Sequence, residues 1–142
     1  MKQSDKQKGN AIELKFKQVL LNWGYVDQQI ERARPTYKHI FVRGKSMIIS
    51  SQNDFYSLFD FIVKTEYTTF YYQVKSNPQN ASAAKKEIID FIAKYGMETD
   101  TFAIVQNVLC KGFILRPLTD LGEQEKKYIN FKGVTVDSFT QS

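Results

Sequence analysis

Leu58-Phe59-Asp60-Phe61-Ile62-Val63-Lys64 and, after a polar turn, Phe70-Tyr71-Tyr72-Gln73-Val74-Lys75-Ser76 read as the two strands of a β-hairpin. An acid, an amide and a lysine stand in an otherwise apolar frame, which core-facing strands do not carry without a reason. Alternate residues of a strand share a face. Tyr71, Gln73 and Lys75 therefore point one way and Phe70, Tyr72 and Val74 the other, while Asp60 and Ile62 oppose Phe61 and Val63. A register setting Asp60 opposite Lys75 closes a four-residue loop over 66–69 and leaves Asp60, Gln73 and Lys75 on one face. A one-residue slip would break that grouping.

These groups suit a site where a hard metal ion meets a phosphate. Asp60 offers a carboxylate oxygen, Gln73 an amide oxygen and Val74 a backbone carbonyl, all acceptable to Mg²⁺ or Mn²⁺. Lys75 can orient a nucleophile or stabilise charge developing on the phosphate. The plain alternative is an Asp60–Lys75 ion pair on a solvent-facing sheet, with Gln73 as an ordinary polar neighbour; the pattern alone is common enough to allow it.

The composition narrows the chemistry. Cys110 is the only cysteine and His39 the only histidine, so intrachain disulfides, cysteine zinc sites and paired-histidine metal sites are excluded and a catalytic metal must use oxygen ligands. With 142 residues, 42% of them hydrophobic, the chain is expected to form a single domain over 9–142 behind a flexible basic tail at 1–8. No apolar run spans a bilayer and the charged N-terminus is unlike a secretory signal, so a cytoplasmic protein with no membrane contact is expected. The net charge of +5 is concentrated in the first half and is compatible with a polyanionic partner; a solvated lysine-rich surface gives the same sum.

Around the hairpin, Ile12, Phe16, Val19, Leu20 and Trp23 recur at helical spacing, predicting a helix over Gly9 to Trp23 capped by Gly24. Glu13 lies at the edge of that apolar stripe, from which a carboxylate can reach into a cleft. Residues 25–36 read as irregular. Tyr37 to Ile49 reads as strand with a turn at Arg43-Gly44-Lys45, followed by a polar connection whose Asp54 is a weaker rival to Asp60. Ser82 is the expected N-cap of a helix reaching Tyr95, with Ala84, Ile88, Phe91, Ile92 and Tyr95 as its stripe and Gly96 as its stop. Strands are expected over Thr101 to Val108 and Phe113 to Leu115, the latter closed by Pro117, then a short helix within 119–131 and a final strand or tail from Gly133. This order predicts an α/β layered fold with a central mixed β-sheet flanked by helices.

A helix bearing Glu13, a strand opening with Asp60, a strand carrying Gln73-Val74-Lys75 and a following helix and strand resemble the PD-(D/E)XK nuclease superfamily, and within it the archaeal and phage Holliday-junction resolvases. The resemblance spans residues 9–117. It implies a restriction-endonuclease-like fold and a Mg²⁺- or Mn²⁺-dependent endonuclease, with Glu13, Asp60, Gln73 and Lys75 as catalytic residues and Asp60, Gln73, Val74 and Glu13 as metal ligands. It further implies branched DNA as substrate, a place in DNA recombination and a homodimer bringing two active sites to one junction. Phe59 replaces the family's proline. Gln73 replaces its usual acid, as in a transposon-end endonuclease that is similar in carrying Gln-x-Lys; the lost charge lowers the expected metal affinity. A non-cleaving DNA-binding relative and a sequence-specific cutter are the alternatives. Lys8, Lys15, Lys17, Arg43, Lys45, Ser76 and Lys85 are the candidate DNA contacts, with Lys15 and Lys17 expected to flank the cleft.

Overall fold

The computed structural model describes residues 5–33, 36–51, 55–56, 58–75 and 81–139, the backbone alone being described for 5–10, 36–42, 46–51 and 81. In chain order the elements are α1 (Asp5–Asn22), a 3₁₀ turn (Asp27–Gln29), β1 (Ile30–Arg32), β2 (Thr36–Val42), β3 (Lys45–Ser51), β4 (Phe61–Lys64), β5 (Thr69–Lys75), α2 (Ala81–Tyr95), β6 (Asp100–Val108), β7 (Gly112–Thr119), β8 (Gly122–Glu123), β9 (Lys127–Asn130) and β10 (Thr135–Val136).

Eight strands form one mixed, mostly antiparallel sheet in the order β1-β4-β5-β6-β7-β9-β10, with β8 beside β7. Its one parallel pairing joins β5 to β6, and α2 makes the crossover. On one face α1 packs Phe16, Val19 and Leu20 against Phe61, Val63, Tyr72, Val105 and Phe113. On the other, α2 packs Ala84 and Ile88 against Phe59, Phe102, Ile104 and Leu118. The period of 2 in β5 divides accordingly: Phe70, Tyr72 and Val74 belong to the α1 layer, Tyr71 to the α2 layer. The sheet is an α/β sandwich centre, as the alternation of helix and strand patterns predicts.

Local chemistry explains where the structure differs from expectation. The first helix starts at Asp5, ahead of Gly9, so residues 5–8 of the expected tail are helical, and 1–4 lie outside the described residues. It ends as expected, with Gly24 at φ 102° and the N–H of Tyr25 bonding back to the carbonyl of Leu20. Ser82 lies inside α2, which starts at Ala81, so it is not the N-cap. Strand β7 continues through Pro117 to Thr119. The Pro117 carbonyl accepts from the Gln124 N–H, which lies beyond β8, so proline's missing donor falls on that side and the ladder to β6 loses nothing. The short helix expected within 119–131 is instead β8 and β9: Ile129 is buried at 1% exposure between polar neighbours, a strand pattern that the charged run before it obscures.

The hairpin register is the correction that matters most. Phe61 pairs with Tyr72 and Lys64 with Thr69, closing the loop over Thr65–Thr68. The Thr65 hydroxyl donates to the Thr68 carbonyl and accepts from the N–H groups of Tyr67 and Thr68, which pins that turn. Relative to the expected pairing the register slips by two residues. Asp60 lies just outside β4: its N–H bonds the Tyr72 carbonyl, and Phe59 and Phe61 on either side of it pack in opposite layers, so it does not face Lys75 and the expected alternation ends there.

Candidate metal and phosphate site

Asp60 sits where β4 gives way to a turn, and hydrogen bonds from both its backbone and its side chain hold it. Its N–H donates to the Tyr72 carbonyl at 2.8 Å, its carbonyl accepts from the Ala33 N–H at 2.9 Å, and its Oδ2 accepts from the Val74 N–H at 2.7 Å. The last of these replaces a ladder bond, because β4 no longer runs alongside β5 at Val74. A strand residue directs its N–H and C=O to the same side. The Val74 carbonyl therefore opens toward Asp60.

Gln73 is 9% exposed, and its Oε1 is the one buried side-chain oxygen or nitrogen among the described residues without a hydrogen-bond partner. The other buried polar side chain, Gln106, is 4% exposed and uses its Oε1 to accept from Arg116 Nε at 2.8 Å. Gln106 pairs with Lys75, and Ile104 with Gln73, across the parallel β5–β6 ladder. Two buried glutamines thus stand one strand apart, one satisfied and one with an acceptor directed at nothing. Among the described residues the Lys75 ammonium has no ion-pair or hydrogen-bond partner. Two positions before Gln73 on the same face, the Tyr71 hydroxyl is held above its ordinary pKa by burial, then by Asp100 and by Tyr56.

Glu13 comes from the α1 layer, whereas Gln73 and Lys75 belong by alternation in β5 to the α2 face. It stands at the same end of the sheet: its Oε1 accepts from Arg32 Nε at 3.2 Å, and Arg32 precedes the Ala33 whose N–H binds Asp60. Both side chains of the pair are mostly buried, at 15% and 19% exposure for Glu13 and Arg32. No group of three or more His, Cys, Asp or Glu able to hold a metal is found among the described residues.

The candidate DNA contacts are dispersed. Lys15 lies over the Phe131 ring, Lys17 pairs with Asp27 at 2.8 Å, and Lys85 stands 3.9 Å from Glu123. Arg43 and Lys45 are exposed at the β2–β3 tip. Ser76, Asp54 and the Lys8 side chain lie outside the described residues. Arg116 bonds both Glu123 and the buried Gln106. Sequence reasoning missed Arg32 and Gln106. Gln106 carries a signal that was there to use, a lone amide in the middle of an apolar strand; Arg32 carries none, lying in a stretch read as irregular.

No family model, curated protein or solved structure matches the chain, and among the described residues no helix is long and apolar enough to cross a membrane.

Proposed function

We propose that this protein is a divalent-metal-dependent endonuclease that hydrolyses phosphodiester bonds, acts on branched DNA as a homodimer and has a restriction-endonuclease-like core. The observation that carries the reading is the unpartnered Gln73 Oε1, one residue before the Val74 whose N–H fastens the Asp60 carboxylate. The sequence of elements supports the fold reading: α1, the antiparallel β1-β4-β5 set, the α2 crossover and the parallel β6.

The donors fit a hard cation. Asp60 carboxylate, Gln73 amide and Val74 carbonyl are all oxygen ligands of the kind Mg²⁺ and Mn²⁺ take. A bound divalent cation would neutralise phosphate charge and acidify water. The chain's own residues do the rest. The Val74 N–H fixes the Asp60 carboxylate before substrate arrives. Lys75, without a partner among the described residues, is available to a phosphate oxygen or an attacking water. Glu13 supplies a second carboxylate, positioned by Arg32.

Four-way junction, linear duplex and single-stranded DNA, each incubated with Mg²⁺, Mn²⁺ or EDTA, test this. Metal-dependent cutting of the junction is expected, abolished in Asp60→Ala and Lys75→Ala with binding retained. Absence of cutting with either metal would refute it. A second reading, a DNA-binding protein of this fold that does not cut, draws on the lack of a three-acid cluster among the described residues; salt-sensitive binding without cleavage is its signature.

A further inference from the structure

We infer that the β2–β3 ribbon is a DNA-binding arm that carries three of the five cations making up the chain's excess positive charge and delivers duplex to the Asp60 site. Between Arg32 and Asn53 the sequence contains no acid and five cations, Arg32, Arg34, Lys38, Arg43 and Lys45. The fifteen cations elsewhere equal the fifteen acids, so the net charge of +5 resides wholly in this segment. Three of the five, Lys38, Arg43 and Lys45, belong to the β2–β3 ribbon and its turn, while Arg32 ends β1 and Arg34 lies between the two in sequence.

The ribbon is a sheet of its own. β2 and β3 pair in register from Thr36↔Ser51 to Val42↔Lys45 and form a two-stranded sheet separate from the main one. Arg43 at φ 52° and Gly44 at φ 76° make the tight two-residue turn that matches strand twist, which puts Arg43 and Lys45 at an exposed tip. Seven residues per strand extend about 23 Å at ~3.3 Å per residue. A two-stranded ribbon is an element the DNA major groove, about 12 Å wide, admits.

Both roots of the ribbon close on the candidate site. The chain enters through Ala33, whose N–H binds the Asp60 carbonyl at 2.9 Å, and re-enters the body at Phe55, whose N–H binds the Phe59 carbonyl at 2.8 Å. Duplex held by the ribbon is therefore tethered to the residue proposed to bind the metal. The choice of DNA as the polyanion rests on the nuclease reading; the charge and the roots do not.

The test uses full-length Asp60→Asn protein in EDTA, with duplex DNA binding followed by fluorescence anisotropy between about 50 and 200 mM salt. Each lost phosphate contact removes about 0.9 from the slope of log K against log salt. The double variant Arg43→Ser with Lys45→Ser is expected to flatten the slope by about 1.8, with circular dichroism and melting unchanged. The control, Lys94→Ser with Lys132→Ser, removes two exposed cations elsewhere and should leave the slope alone. Equal slopes in the two variants would overturn the inference, as would ribbon-dependent binding to anionic vesicles without binding to DNA. The readout needs no cleavage, so a wild-type protein that cuts nothing would end the nuclease reading and leave this comparison decisive.

Discussion

The Asp60 carboxylate and the Val74 backbone N–H, fourteen residues apart in the chain, are joined by a 2.7 Å hydrogen bond at the point where β4 leaves β5. A charge-assisted bond of this length locks the carboxylate of a strand-end residue. It directs Asp60 toward the same stretch of β5 that carries the unsatisfied Gln73 oxygen.

Gln73 should show a conflict between stability and function. An unpaired buried acceptor costs about 1–3 kcal/mol, so Gln73→Met is expected to unfold at an equal or higher urea concentration than wild type while losing metal-dependent activity. Gln73→Glu should do the reverse. A second carboxylate beside Asp60 is expected to lower stability in EDTA by about 1–3 kcal/mol, to regain it in Mn²⁺, and to raise activity at limiting metal. Urea unfolding with and without Mn²⁺ measures both.

Arg32 and Glu13 form a mostly buried pair, so removing either partner takes a charge-assisted bond from the other. Arg32→Ala is expected to cost about 1.5–3 kcal/mol, as does loss of other hydrogen bonds to charged groups, and to cost less in a Glu13→Gln background. A double-mutant cycle by urea unfolding yields the coupling. Additive effects would mean that the pair contributes nothing of its own.

Tyr72 sets the alkaline limit. Burial, and secondarily Tyr25, raises its hydroxyl pKa well above the ordinary value of about 10. The unfolded chain loses this proton near pH 10 and the folded chain keeps it. The contribution is therefore complete below about pH 10, and stability declines above it by up to about 1.4 kcal/mol per pH unit. Tyr72→Phe should remove that part of the slope, which denaturant titrations across alkaline pH would show.

Much of this architecture was legible in the sequence because burial imposes its period directly. Phe16, Val19 and Leu20 announced α1, and the alternation from Phe70 to Lys75 announced which residues share a face. The register was less legible, because it depends on one hydroxyl: Thr65 closes the turn one position earlier than counting from Asp60 suggested. The strand through Pro117 was hidden because a proline's effect depends on which neighbour its nitrogen faces. Of the candidate residues, Gln73 and Lys75 share a face of β5 as their alternation indicates, while the break at Asp60 leaves no mark in the sequence. The Arg32 contact was not, since it joins α1 to an edge strand only three residues long.

The central claim is that Asp60 and Gln73 contribute oxygens to one divalent-cation site. Electron paramagnetic resonance titration of Mn²⁺, with uncleaved DNA present to supply phosphate, measures this most directly. The account predicts one Mn²⁺ bound per chain by wild type, weakened at least about tenfold in Gln73→Met and lost in Asp60→Asn, with DNA binding intact in all three. Equal Mn²⁺ binding by wild type and Asp60→Asn would contradict it.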